Sequence, residues 1–492
     1  LILIGTVAMT VLFYMTTPKE LAPEEDQGIL FTVVKTPEYA NLDYLERASA
    51  TLYEVFSAVP EKEHVFAING MGGVHQGFAG ILFKPWDERE RSAKQILGEL
   101  QPKLGQVPGA LIFSFPPPSL PGSTGGPPMQ FVVRTTGDFK QLADVVAQLQ
   151  QAAFASGLFI FTDSDLKFDT PQIEFKIDQD KANRLGVRMS DVGSTLATLL
   201  GGNYVNRFNL YGRSYEVIPQ VPRDFRSASD WLLRYQVRTN SGELVPLSTI
   251  GTISHSVQPT ALTSFQQLNS ATLSGVPFPG RTLGETLGFL KEKAEEIFPA
   301  GYSYDFQGES RQFVQESGTL AVTFAFSLII IFLVLAAQYE SFRDPVIILI
   351  ALPTSMFGAL LPLSILSFAG MASINIYTQI GLVTLIGLIS KHGILMVDFA
   401  NRLQEEGMSR REAIERAAAV RLRPILMTTA AMVVAMVPLL IASGAGAASR
   451  FAIGVVIASG MTIGTMFTLF VTPAMYTIIA RDHGKEKSIE NS

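Results

Sequence analysis

The sequence predicts a polytopic α-helical membrane protein with a large α+β region outside the membrane. Three observations predict it: apolar stretches long enough to cross a bilayer, arginines gathered in one short connection, and a polar middle (residues 18–317) in which strand and helix patterns alternate.

Crossing about 30 Å of hydrocarbon takes about 20 helical residues. Five stretches reach that length: 319–338, 345–368, 374–399, 424–442 and 451–480. Residues 1–17 are also apolar and lack the basic start and small-residue cleavage site of a signal peptide. They read as a truncated transmembrane helix, six spans in all, and imply that the chain is part of something longer. Positive side chains are retained on the cytoplasmic side. The connection 401–423 carries Arg402, Arg410, Arg411, Arg416, Arg421 and Arg423, whereas the one around Gly370 carries no Lys or Arg. The arginine-rich connection is therefore cytoplasmic. Parity then places Arg343 and the tail with Arg481, Lys485 and Lys487 inside, and residues 18–317 outside.

Outside the membrane, the patterns give a strand at 29–34, a helix at 41–58, strands at 64–68 and 78–83, a helix at 89–104 and a strand at 110–115. This βαββαβ order is that of a ferredoxin-like unit. A second unit starts with a strand at 130–135 and a helix at 139–151. It is completed by a strand at 271–275, a helix at 283–297 and a strand at 302–306. The insert between its halves has helical pieces at 179–185 and 190–200, then strands punctuated by Gly201-Gly202 and Asn240-Ser241-Gly242.

Composition excludes several functions. The net charge of -6 over 492 residues, with no dense basic run, gives no reason to propose a nucleic-acid partner. The absence of cysteine excludes disulfides, thiolate metal sites and a Cys nucleophile. The five histidines, at 64, 75, 255, 392 and 483, form no HExxH pattern, and neither a GxSxG elbow nor a Walker A loop is present. No catalytic residue, cofactor site or metal site is expected. Most of the fifteen methionines fall in the apolar stretches; Met71 and Met129 are the two outside them that could line a cleft.

Lys391 is the most informative residue. It lies within the stretch Gly387-Leu-Ile-Ser-Lys-His-Gly, where a lysine costs about 2.5–3.5 kcal/mol and so faces a partner or a wet path. The alternative is that it snorkels to the cytoplasmic side, Asn401 being roughly 15 Å further along the helix. Asp398, two turns on, reads as a marker of the membrane boundary. His392 points about 100° away from Lys391 and reads as a packing residue. Thr428, Arg421 and Arg423 are, on local grounds, an ordinary helix hydroxyl and ordinary positive-inside arginines. No carboxylate occupies the interior of any other span, so any acid working with Lys391 must come from elsewhere. Outside the membrane, Phe113 and Phe115 share one strand face, with Phe78 and Phe83 on a neighbouring strand. They line an apolar cleft or fill a core. The loop 69–80, with Gly70, Met71, Gly72 and Gly73, is either a moving gate or a glycine-rich hairpin.

The span pattern, the segment Pro-Lys-Glu-Leu-Ala-Pro-Glu-Glu-Asp-Gln-Gly at 18–28, the run GLISKHGILMVDFAN at 387–401 and the run RLRPILMTT at 421–429 together resemble the resistance-nodulation-division multidrug exporters, in their carboxy-terminal half. The resemblance implies a homotrimeric drug/proton antiporter in the inner membrane of a Gram-negative bacterium. Such a pump moves amphiphilic small molecules through a periplasmic adaptor and an outer-membrane channel, and protons are its coupling ion. It makes Lys391 the lysine of a proton relay, with Thr428 and Arg421 as neighbours and two aspartates on an amino-terminal half. It makes 18–128 the first porter subdomain, 129–178 with 260–317 the second, 179–259 a docking subdomain, 318–480 five transmembrane helices and 481–492 a cytoplasmic tail. Phe113 and Phe115 then match pocket phenylalanines and residues 70–73 a switch loop, although Met71 and Gly73 stand where relatives carry aromatics. Two other classes stand beside this reading, a soft-metal exporter of the same superfamily and a non-transporting structural or regulatory half.

Overall fold

The computed structural model describes residues 2–120, 126–278 and 280–481, with the backbone alone at residue 2 and at 317–321. Lys485 and Lys487 of the tail lie outside the described residues. The chain divides into two compact units, Leu1–Leu166 with Leu262–Ser492, and Lys167–Ala261.

The first unit opens with an apolar helix α1 (Ile2–Thr16), then β1 (Ile29–Lys35), α2 (Leu42–Ser57), β2 (Lys62–Asn69), β3 (Gln76–Phe83), α3 (Ala93–Leu104) and β4 (Leu111–Phe115). The strands form an antiparallel sheet in the order β2-β3-β1-β4. Strand periodicity divides β1 between two faces. Leu30 and Val34 point to the helices, where Leu45, Leu52 and Phe56 of α2 and Ile96 and Leu100 of α3 complete a core. Phe31 and Val33 point the other way. Helix α2 forms because its apolar residues recur every three or four positions, and Asn41 accepts a hydrogen bond from the Tyr44 N–H at its start. Helix α3 begins with a reciprocal cap between Ser92 and Gln95.

The chain continues through β5 (Met129–Thr135), α4 (Phe139–Ala155) and β6 (Phe159–Ser164) before entering the second unit. That unit contains β7 (Thr170–Ile177), α5 (Gln179–Arg184), α6 (Met189–Leu199), β8 (Asn206–Leu210), β9 (Arg213–Val217), α7 (Asp230–Arg234), β10 (Gln236–Arg238), β11 (Leu244–Pro246), α8 (Leu247–Ile250) and β12 (Gly251–Gln258). Strand β7 pairs with β12 along its whole length. Strands β8 and β9 form a hairpin whose turn residues, Tyr211 and Gly212, both have positive φ. Ala182, Val187, Val192, Val237, Leu247 and Ile250 form its small core.

Back in the first unit, β13 (Thr263–Phe265), β14 (Leu268–Pro277), α9 (Leu283–Ile297) and β15 (Tyr302–Phe306) complete a second antiparallel sheet, β13-β14-β5-β15, with β6 also paired to β14. Then follow α10 (Gly308–Tyr339), α11 (Arg343–Leu349), α12 (Leu352–Phe368), α13 (Ile376–Glu405), α14 (Arg410–Leu440) and α15 (Ala447–Ile479). Five segments are long and apolar enough to cross a membrane: Val322–Tyr339, Arg343–Phe368, Ile376–Glu405, Arg410–Leu440 and Ala447–Ile479. Helix α15 packs against α12, α13 and α14.

Three differences from the expected elements have simple causes. The span expected at 345–368 is two helices, broken at 350–351 because Pro353 has no N–H for the Leu349 carbonyl and its ring crowds that carbonyl. The arginine-rich connection expected at 401–423 is mostly helix. Gly407, at φ +101°, turns the chain, and Ser409 caps α14 by accepting from the Glu412 N–H. Strand β6 was not expected from the pattern at all.

Candidate functional site

Helix α13 starts at a strong cap. Asn375 accepts from the N–H groups of Tyr377 and Thr378, and the Thr378 hydroxyl accepts in return from the Asn375 N–H. Four turns on, Lys391 is exposed, and among the described residues it makes neither a hydrogen bond nor an ion pair. On α14, Thr428 is half-buried and donates to the carbonyl of Ile425 at 3.0 Å. Arg421 lies 4.6 Å over the ring of Phe399, and its buried Nε has no acceptor. Lys391, Thr428 and Arg421 thus lie on two packed helices, but no bond joins them. Asp398 pairs with Arg402 at 3.0 Å, one turn toward the end of α13.

His392, expected as a packing residue, is buried and also enters a hydrogen-bond chain. His392 is 1% exposed, and its Nδ1 is 3.3 Å from Thr465 Oγ1, which in turn is 3.2 Å from Thr429 Oγ1. The three side chains link α13, α15 and α14 through the interior of the bundle. A histidine and a threonine beside the two expected residues were the only available signal, since Thr465 is distant in sequence.

The phenylalanines separate by strand parity. Phe31, Phe78, Phe113 and Phe115 occupy the face of the first sheet opposite α2 and α3. Phe113 stacks on Phe161 of the second sheet with centroids 4.1 Å apart, and Phe115 and Phe31 continue the layer. Phe113 and Phe115 are each 3% exposed and belong to an aromatic layer between the sheets, and Phe115 also lines a cavity at the edge of that layer. Phe78 is half-buried at the margin of the layer, against Phe31 and Phe66. Phe83 does not join them. It lies five residues after Phe78, an odd number, so it faces the helices and packs in their core. Of the two cleft methionines, Met129 is fully buried in the second sheet and Met71 is exposed.

Residues 70–73 form the turn between β2 and β3. Gly70, Gly72 and Gly73 all have positive φ, and Gln76 closes the turn by accepting from the Gly70 N–H and donating to the Gly73 carbonyl. Buried His75 anchors the turn: its Nε2 lies 3.1 Å from Glu38 Oε2, and its carbonyl accepts from Thr36.

The segment after α1 holds more structure than its composition suggests. Glu24 pairs with Lys94 of α3 at 3.0 Å. Glu25 is 7% exposed and accepts from the N–H groups of Ala448 and Ser449, at 3.2 and 2.7 Å, and from the Ser449 hydroxyl. Asp26 accepts from both Nη atoms of Arg89 and from the Ala93 N–H at the start of α3. Burial alone would raise its pKa, but these donors hold its carboxyl below the ordinary value. Two adjacent carboxylates therefore fasten the first turn of α15 and the first turn of α3 to one short strap. Beside the strap is a cavity of about 180 Å³, lined among others by Phe115, Ile160, Glu20 and Glu309.

A bundle of long apolar helices joined to a sheet-rich region is the architecture of a multi-pass membrane protein. A sequence model of the AcrB/AcrD/AcrF family matches residues 1–480, and the chain belongs to that family. It is 43% identical, over 97% of its length and 47% of the relative's, to an uncharacterized transporter of Haemophilus influenzae. It is 32% identical to the multidrug export protein AcrF of Escherichia coli, over 96% of this chain and 47% of AcrF. It is also 32% identical to the toluene efflux pump membrane transporter TtgB of Pseudomonas putida, over 96% of this chain and 45% of TtgB. The chain thus spans about half the length of the curated relatives it matches.

Proposed function

We propose that this chain is the lysine-bearing, carboxy-terminal half of a proton-motive-force-driven drug/H+ antiporter that exports amphiphilic compounds. The observation that carries the reading is Lys391, a cation on an apolar helix with no ion-pair partner among the described residues. A charge so placed is retained where it faces a partner group or a wet path. The partner group is a pair of aspartates on an amino-terminal half packed against α13. Their protonation releases the lysine, and Thr428 and Arg421 on α14 complete the relay. Protons are the coupling ion, and no other cofactor takes part.

Helix α1 is the sixth span, and the arginine-rich turn between α13 and α14 faces the cytoplasm. The β2-β3-β1-β4 order, with α2 and α3 on one face, supports a ferredoxin-like porter subdomain at 18–128. The second sheet serves as the split porter subdomain and the insert as the docking subdomain. The pump works as a homotrimer in the inner membrane of a Gram-negative cell, with a periplasmic adaptor and an outer-membrane channel. The aromatic layer of Phe31, Phe78, Phe113 and Phe115 supplies the apolar wall against which substrate passes once the two sheets part. The turn at 70–73 borders that path as the switch loop.

The test is drug accumulation in cells lacking their own exporters, comparing the complete pump with its Lys391→Ala variant at equal membrane expression. The variant is expected to accumulate drug to the level of cells without a pump. Undiminished efflux would mean that Lys391 only snorkels and would remove the relay.

A further inference from the structure

The cavity beside the strap lies in the first unit, lined by the strap, the end of β4 and the first turn of α10. Its walls are apolar, from Leu97, Phe115, Ile160 and Phe278, and its charged groups are Glu20, Glu24, Lys94, Arg281 and Glu309. The cations are already engaged: Lys94 pairs with Glu24 at 3.0 Å and Arg281 lies 3.8 Å from Glu285 of α9. Glu20 is left with neutral partners, the Ser373 hydroxyl and the Asn375 side chain. Glu309, in the first turn of α10, has neither a hydrogen bond nor an ion pair among the described residues. The surplus in the cavity is therefore two carboxyls against hydrocarbon walls.

We propose that this cavity is a specificity-determining site that takes the positively charged head group of a cationic amphiphile, with Glu20 and Glu309 as its counter-charges and the apolar wall receiving the adjoining hydrocarbon. The inference rests on the export function proposed above and names the class of substrate that function favours. A carboxylate held half-buried against apolar walls is stabilised by a counter-charge, and an amphiphilic cation supplies the charge and the apolar surface together. A quaternary ammonium meets both carboxyls without needing hydrogen-bond geometry.

Protonation sets how strongly the site attracts a cation. Burial pushes the Glu20 carboxyl up to about 7 against the hydrogen bonds from Ser373 and Asn375, with Glu24 raising it further and Lys94 lowering it. Burial, with the charge of Glu24 beside it, also pushes Glu309 up to about 7. A cation binds the ionised form, so attraction is weak below this range and grows as pH rises through it.

The test uses the complete pump in cells lacking other exporters and three probes built on one diphenylhexatriene body: a trimethylammonium derivative, the uncharged parent and a propionate. None of the three changes its charge between pH 6 and pH 8. Comparing the ratio of cationic to uncharged export between wild type and variant at each pH cancels changes in driving force. The wild-type ratio is expected to rise between pH 6 and pH 8. In the Glu20→Gln, Glu309→Gln double variant it should fall about tenfold, one charged contact's worth, and lose its pH dependence. Uncharged export should stay at the wild-type level, which shows that the variant folds. An unchanged ratio, a parallel loss of all probes, or a preference for the propionate would overturn the assignment while Lys391-dependent export stood. Absence of any Lys391-dependent export would overturn the export function and the inference with it.

Discussion

Glu25→Ala is expected to lower the stability of the purified protein by about 2–4 kcal/mol, the cost of removing a buried acceptor of several charge-assisted hydrogen bonds. The first turn of any helix leaves N–H groups without an intrahelical partner. In α15 those of Ala448 and Ser449 are satisfied by a carboxylate more than 400 residues away in sequence. Without it the donors lose their acceptor, and the favourable meeting of anion and helix N-terminus is lost. Glu25→Gln keeps the shape and one acceptor oxygen and should fall between wild type and alanine. Glu24→Ala removes only an exposed pair with Lys94 and should leave stability nearly unchanged. Thermal unfolding of the three variants in one detergent checks the order. Equal midpoints for Glu25→Ala and Glu24→Ala would show that the strap does not hold α15.

Gly464→Val is expected to cost about 1–3 kcal/mol, or more, by forcing α12 and α15 apart. A Cβ at Gly464 would lie 2.8 Å from Ser355 Cβ and 2.9 Å from Ser355 Cα, and one at Gly358 would lie 2.7 Å from Ile463 Cβ. Backbone atoms cannot swing aside as a side chain can, so the helices must separate. Small residues at such crossings are what let helices approach closely in lipid. Because Thr465 follows directly, separation also moves it from His392. Gly288→Ala in α9 is the control. Nothing lies within 4 Å of its would-be Cβ, so the change should stabilise that helix by about 0.5–1 kcal/mol. Destabilisation by Gly288→Ala as large as that by Gly464→Val would refute the steric explanation.

What could be read from the sequence follows from the range of each interaction. The five apolar segments were legible because length and hydropathy are local, and α9 and β15 fell on their expected residues for the same reason. Lys391 stood out as a charge in an apolar run. The break before Pro353 and the turn at Gly407 carried local signals that a hydropathy reading passed over. Phe83 was grouped with Phe78 although parity places them on opposite faces. Strand β6, Phe-Ile-Phe-Thr-Asp-Ser, has apolar residues at successive positions, so it offered no alternation to read. Its register is set by β14, more than 100 residues further on. Glu25 was the least legible. Among three consecutive acids nothing local distinguishes the one that caps α15 from the one that holds α3.

The most direct measurement is substrate-coupled proton flux in vesicles reconstituted with the complete pump under an imposed pH gradient. Wild type and Lys391→Ala should be inserted in equal amount and orientation. Adding an amphiphilic substrate is expected to speed proton movement through the wild type and to leave Lys391→Ala at the leak of empty vesicles. Substrate-dependent proton flux of wild-type size in the variant would contradict the proposal that Lys391 couples protons to export.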